Sequence, residues 1–295
     1  MKLSLDNAIA PIFVLIWSTG FVIARLAMPY VEPATFLFWR FAGVLAAMAA
    51  LSLVWKISWP SWSQTKHIAV AGILLQFGYL LGVWFAVRLG MTAGLVAIIV
   101  GLQPILTAWF AAWISEKVST RQWIGLAFGF AGVALVVAEK ISFVHIPFVS
   151  YLLAFIALLS ITFGTLYQKK YCPVFDLRAG SSIQFGVSAI LCFICMYLFE
   201  SGEMVWNLSV TGALLWAIFP LSIGSISLLF MMIRKGAATK VTSFLYLVPP
   251  TTAVMAWFLF GEPFTVLMAV GLGLTMTGVV LVNTGRTNNV AAIAE

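Results

Sequence analysis

Ten apolar stretches of about 20 residues follow one another along this chain, at approximately 8–28, 34–55, 67–88, 91–114, 121–138, 147–168, 179–199, 210–233, 241–260 and 264–283. Roughly 20 residues is the length of helix that crosses a hydrocarbon core. Lipid offers no partner to an exposed amide, so a spanning segment folds as a helix or joins a closed barrel. Barrel strands need only about 10 residues, so this pattern specifies helices. The chain is 63% hydrophobic and 8% charged, against roughly 45–50% apolar in soluble domains. The segments between stretches are at most about a dozen residues long, too short for a soluble domain or a long catalytic loop. The expected fold class is an all-α membrane protein with ten transmembrane helices.

Compared with itself at an offset of 146 residues, the chain repeats: Arg88/Arg234, Gly90/Gly236, Pro104/Pro250, Glu116/Glu262, Gly125/Gly271, Gly132/Gly278, Val133/Val279 and Leu135/Leu281 coincide. Earlier in each copy the matching offset is 144, with Gly20 over Gly164, Arg25 over Lys169, Arg40 over Gln184 and Phe41 over Phe185. Two residues were gained or lost between these blocks. The expected domains are residues 1–143 and 144–295, each a five-helix repeat, forming one transport domain together. Five crossings is an odd number, so the second copy is inverted relative to the first. Inverted repeats are a signature of transporters.

The net charge of +7 invites a nucleic-acid reading, but its distribution has a simpler cause. With the N-terminus cytoplasmic, the inner segments hold Lys2, Lys56, Lys66, Lys117, Arg121, Lys169, Lys170, Arg178, Arg234, Lys235, Lys240 and Arg286, while only Arg25, Arg88 and Lys140 fall outside. That is a positive-inside bias, and it predicts cytoplasmic termini and no nucleic-acid partner. Lys2 and the apolar run after it look like a secretory signal, but the run is too long and Arg25 occupies the cleavage region. The first span is expected to stay. Cys172, Cys192 and Cys195 form no disulfide or metal framework, so neither cofactor nor metal is expected.

Two helix breaks stand at equivalent places. Gly101, Gln103 and Pro104 interrupt the fourth span, and Pro249 and Pro250 the ninth. Proline frees backbone polar groups, which hydrocarbon tolerates only beside a cavity or another helix. Matched breaks in two inverted halves point to a central substrate site, though a proline kink alone accounts for either. The fifth and tenth spans carry Gly125, Gly129 and Gly132, and Gly271, Gly273 and Gly278. Such small-residue faces let helices approach closely, either within one subunit or between two, so monomer and homodimer both stay open.

An ionisable group inside the bilayer is costly and marks a pathway or a partner. Arg40 is the one such group, roughly 10 Å along the second span from Pro33 at about 1.5 Å per residue. Its guanidinium either receives a substrate carboxylate or phosphate, or snorkels outward, or pairs with Glu32 or a helix-end carbonyl. Trp17, Tyr79, Gln103, Phe163 and Tyr246 are the other candidate substrate-binding residues, because Trp and Tyr give a flat wall and one hydrogen-bonding handle. Glu116 and Glu262, each twelve residues after an aligned proline, are either gates that clasp neighbouring helices or solvated helix ends. With no mid-span carboxylate or histidine, a proton relay lacks an obvious carrier, which leaves facilitated transport or exchange open.

These residues resemble the EamA family of the drug/metabolite transporter superfamily. The resemblance rests on Trp17-Ser18-Thr19-Gly20-Phe21, on Arg40-Phe41, and on the doubled order of proline, glutamate and a glycine helix ending Gly132-Val133-Ala134-Leu135 and Gly278-Val279-Val280-Leu281. It implies a central cavity between inverted repeats, alternating access, and export of amino acids or related metabolites across a bacterial inner membrane. Gln184 replaces a second arginine opposite Arg40, so a symmetric charged pair is missing. The rival readings are a membrane enzyme acting on lipid-like substrates, which needs clustered acids, histidines or a nucleophile–base pair, and a non-transporting partner subunit.

Overall fold

The computed structural model describes residues 5–52, 57–115, 120–143, 146–172, 175–225, 227–228 and 247–291. Helices follow in the order α1 (Leu5–Ala27), α2 (Pro33–Ser52), α3 (Trp62–Gly72), a π-helical segment π1 (Ile73–Gly78), α4 (Tyr79–Arg88), α5 (Ala93–Val100), α6 (Gln103–Ser115), α7 (Thr120–Phe143), α8 (Phe148–Tyr171), α9 (Leu177–Phe199), α10 (Leu208–Trp216), a second π segment π2 (Ala217–Gly224), α11 (Val248–Phe260) and α12 (Val266–Ala291). Extended pairing among the described residues is confined to one bridge between Val31 and Met204. Four segments are long and apolar enough to cross a bilayer unaided: Pro33–Ala50, Trp62–Arg88, Phe148–Tyr171 and Leu177–Phe199. Shorter apolar helices at Pro11–Ala27, Ala93–Thr107, Trp123–Val136, Leu208–Gly224, Val248–Phe260 and Val266–Leu281 lie in the remaining apolar stretches.

The chain divides into two compact units, one of residues Met1–Val22, Met91–Phe148 and Leu228–Glu295, the other of Ile23–Gly90 and Val149–Ser227. Each draws helices from both sequence copies.

In the first unit α7 packs along α12. A methyl group on Gly132 would run into the Gly271 carbonyl and Thr275, and one on Gly278 would run into the Gly125 carbonyl and the Gly129 backbone. Gly132 and Gly278 are offset equivalents, as are Gly125 and Gly271, so the two contacts are copies of each other. Gly132 meets the earlier residue of α12 and Gly125 the later one, which makes the helices antiparallel. Gly125, Gly132, Gly271 and Gly278 are therefore buried against each other within one chain, whereas Gly273 faces outward.

The second unit repeats this logic with different chemistry. Phe41 on α2 and Phe185 on α9, equivalent at the 144 offset, meet with ring centroids 5.6 Å apart. Gly43 on α2 admits Ile218 of π2, and Gly72 at the end of α3 admits the Gln184 backbone of α9. Phe36 and Trp84 stack at 4.4 Å, an aromatic contact worth about 0.5–1.5 kcal/mol beyond the area it buries.

Helix ends are capped as the sequence chemistry demands, since the first N–H groups of a helix have no partner inside it. Ser61 accepts from the Gln64 N–H to start α3, and its offset equivalent Asn207 accepts from Val210 to start α10. The Glu200 carboxylate accepts from the Ala34 and Thr35 N–H groups and the Thr35 hydroxyl at 2.7–2.8 Å, placing an anion at the positive end of α2. Glu32 accepts from the Ser201 N–H at 2.7 Å, and its equivalent Asp176 accepts from Ser58 at 3.4 Å. Asp176 also caps α9 and pairs with Arg178 at 2.8 Å. The Arg178 hydrogen bond, against a smaller opposing cost of burial, holds the Asp176 carboxyl down to about 2.

Candidate transport site

Arg40 sits on α2 and is only 5% exposed. Its Nε and Nη2 donate to Ser222 Oγ at 3.3 and 3.1 Å. Ser222 in turn donates its proton to the Ala217 carbonyl at 2.7 Å, which leaves the hydroxyl lone pairs turned to the guanidinium. This chain of donors lies in π2, where Pro220 stands inside the helix without an N–H to give. The wider turn of a π segment is frequent at functional sites. Tyr79, the first residue of α4 after π1, is buried and is the group that acts electrostatically on Arg40. The structure thus brings together two of the residues expected at the site. It also overturns two alternatives for Arg40. Burial excludes snorkelling, and Glu32 is committed to Ser201.

π1 and π2 end on Gly78 and Gly224, which are equivalent at the 146 offset. No proline marks π1. Instead Ser160 on α8 donates to the Leu74 carbonyl at 2.8 Å, taking up an acceptor in the widened turn. Opposite it, Gln184 donates to Gln168 at 2.9 Å, so the place that Arg40 fills in one copy is neutral and internally satisfied in the other.

The broken helices belong to the first unit. α5 stops at Val100, Gly101 and Leu102 form a turn, and α6 begins at Gln103 and Pro104. Pro249 and Pro250 stand in the first turn of α11, where their missing donors are not needed. α5 packs on α11, and a methyl on Gly101 would touch Pro249 Cγ at 2.7 Å. Ser18 donates to the Val248 carbonyl and Thr252 to the Ser18 carbonyl, each at 3.4 Å, tying α1 to this break. Trp17 lies beside them with its ring 5.4 Å from Phe13. Gln103 is half-buried in the same unit. Phe163, on α8 of the other unit, is 43% exposed and is the least enclosed of these residues. Tyr246 and Glu116 lie outside the described residues.

Glu262 corrects the reading of a solvated helix end. It is 8% exposed, and it accepts from the Ala93 and Gly94 N–H groups at 3.1 and 3.4 Å. Thr92 accepts from Leu95 at 3.3 Å, so three of the four orphan donors of α5 are met. Gly261 makes this geometry by leaving α11 in the left-handed region, φ +63°, which glycine adopts without strain. An apolar groove of about 260 Å³ lined by Trp109, Trp123, Leu126, Ala127 and Phe130 contains none of the expected site residues.

Ser222 and Ser225 are polar groups of the eighth span without an assigned role in the sequence, and Ser225 has a buried hydroxyl with no partner among the described residues; Glu200 is a residue that sequence reasoning did not single out. The partners of Ser222 and Glu200 lie more than 160 residues away. Serine inside an apolar span is the sequence signal that points to Ser222 and Ser225.

Residues 8–138 and 148–284 each match the model of the EamA-like transporter family. An uncharacterized transporter, YvbV, of Bacillus subtilis is 29% identical over 95% of this chain and 92% of its own length. A probable amino-acid metabolite efflux pump of Salmonella typhimurium is 22% identical over 92% of this chain and 93% of its own. The inner membrane transporter YedA of Escherichia coli is 24% identical over 92% and 88%. A solved crystal structure has the same fold at a TM-score of 0.66, covering 94% of this chain and 96% of that one at 18% identity. Matched twice and over nearly its whole length, the chain belongs to the EamA-like transporter family.

Proposed function

We propose that this transporter exports amino acids or related carboxylate-bearing metabolites across a bacterial inner membrane by alternating access. Ten spans, in two inverted five-helix repeats of residues 1–143 and 144–295, carry it out with both termini in the cytoplasm. The observation that carries the reading is Arg40, a guanidinium buried within an apolar helix and held by a neutral hydroxyl. Among the described residues no carboxylate pairs with it; the ion pair found there joins Arg178 and Asp176. A buried arginine in a transporter marks the substrate path, and its fork matches a carboxylate. The antiparallel contacts of α7 with α12 support inversion of the repeats, and the names of distant relatives support amino acids as the solute class. Trp17, Tyr79, Gln103, Phe163 and Tyr246 complete the proposed binding set, and Pro104, Pro249 and Pro250 are the proposed helix breaks of the transport domain. Glu262 and Glu116 are the proposed clasps on opposite faces of the membrane.

The test is counterflow of labelled amino acids in proteoliposomes. Saturable uptake that Arg40→Ala abolishes, in a protein that still elutes as a monodisperse peak, is the expected outcome. Unchanged uptake in that variant removes Arg40 from the site.

A further inference from the structure

We infer that Arg40 makes this protein an exchanger, one that reorients far faster with a carboxylate-bearing solute aboard than empty. The inference rests on the proposed reading of Arg40 as a substrate contact and adds the transport mode.

The argument begins with charge. Arg40 is 5% exposed, and the acceptor its guanidinium holds is Ser222 Oγ. A hydroxyl orients the fork but brings no negative charge, and its own proton is spent on Ala217. Three described acids of the same unit are engaged elsewhere, Glu200 on Ala34 and Thr35, Glu32 on Ser201 and Asp176 on Arg178 and Ser58, and the fourth, Glu203, is exposed. Tyr79 is a phenol. The pseudo-equivalent position offers no relief, since Gln184 is neutral and bonded to Gln168.

A second observation points to a polar ligand. Ser225, three residues beyond Ser222 on the same helix, is fully buried and its Oγ has no partner among the described residues. Buried hydroxyls are nearly always hydrogen-bonded. A guanidinium with spare N–H donors and a free hydroxyl on the helix that holds it together fit a two-oxygen anion.

The transport mode follows. With one side open, water and counterions screen Arg40. Passing through the occluded state empty strips that screening and leaves a lone charge in a low-dielectric interior. A bound carboxylate cancels the charge and fills the donors, so the loaded carrier crosses the same state nearly neutral at this point. Return therefore waits for another carboxylate solute. About 100-fold between loaded and empty reorientation corresponds to about 2.7 kcal/mol, which matches the low end of the cost of an arginine at bilayer centre.

The experiment uses proteoliposomes of the full chain loaded with an equimolar mixture of radiolabelled L-amino acids, the membrane potential clamped at zero. Efflux is measured into plain buffer, into buffer with the unlabelled mixture, and into buffer with the corresponding decarboxylated amines. The expected result is efflux about 100-fold faster into the amino-acid mixture than into plain buffer, and no acceleration by the amines. Arg40→Lys keeps most of that ratio, whereas Arg40→Gln brings it towards one. Wild-type efflux into plain buffer within about threefold of exchange overturns the inference while leaving the carrier reading intact, and so does equal stimulation by the amines. Absence of protein-dependent flux in every buffer refutes the carrier reading and the exchange mode with it. The wild-type comparison needs no variant, so a misfolded substitution does not blunt the test.

Discussion

Replacing Gly132 by alanine asks the most of the α7–α12 contact. The added methyl would sit 2.7 Å from the Thr275 backbone nitrogen, and nearer still to the Gly271 carbonyl and Thr275 Oγ1. Ordinary contact begins near 3.4 Å, so α12 must retreat by at least 0.7 Å, the difference between those two values. A gap of about 0.5–1 Å forfeits a quarter to a half of each dispersion well along the face, and forced overpacking costs about 1–3 kcal/mol. Alanine also gains about 1 kcal/mol of helix propensity over glycine, which hides part of the loss. The control is Gly273→Ala on the exposed side of α12, where a methyl meets nothing within 4 Å. Propensity cancels between the two variants, leaving the overpacking difference of about 1–3 kcal/mol. At ~2–4 °C per kcal/mol, Gly132→Ala should melt roughly 2–12 °C below Gly273→Ala, read by tryptophan fluorescence in detergent. Gly278→Ala, its offset equivalent, should behave like Gly132→Ala. Equal melting of Gly132→Ala and Gly273→Ala would refute the close approach, and with it the antiparallel pairing of these helices.

Glu262→Ala orphans the Ala93 and Gly94 N–H groups and should cost about 1–3 kcal/mol per buried group. Glu262→Gln keeps an acceptor and should lose only the charge–dipole part, up to ~2 kcal/mol; thermal melts of the pair check the order. Asp176→Asn tests the pH dependence at the start of α9. Its folded carboxyl titrates near 2, below the ordinary ~3.9, so its stabilisation is present above that ordinary value and fades as pH falls towards 2. The melting deficit of Asp176→Asn should therefore be small at pH 7 and shrink further between pH 4 and 2, because the pair is solvent-screened. A deficit that grows on acidification would contradict the sign.

The helical stretches were legible because lipid leaves an apolar run little choice, and Pro104 announced its own break. π1 was not legible: Ile73–Gly78 contains no proline, and its wide turn depends on a hydroxyl from Ser160, 86 residues further on. Glu262 could be read as a clasp or as a solvated end because nothing nearby in sequence needs it, whereas its donors lie 168 and 169 residues earlier. Arg40 stood out as a lone charge, but the choice among its partners depended on Ser222, 182 residues away. Local chemistry writes the spans, and contacts between copies write the site.

The glycine face of α7 meets its complement only when α12 exists, 146 residues later in the chain. At synthesis rates of about 5–20 residues per second, that interval is roughly 7–30 s. Through it the first half of a nascent molecule presents a narrow bare ribbon of backbone to whatever else is in the membrane. Biogenesis of this protein thus includes a waiting period in which an unrelated helix with small residues is a competitor for α7, and a truncated product ending before Val266 never leaves that state.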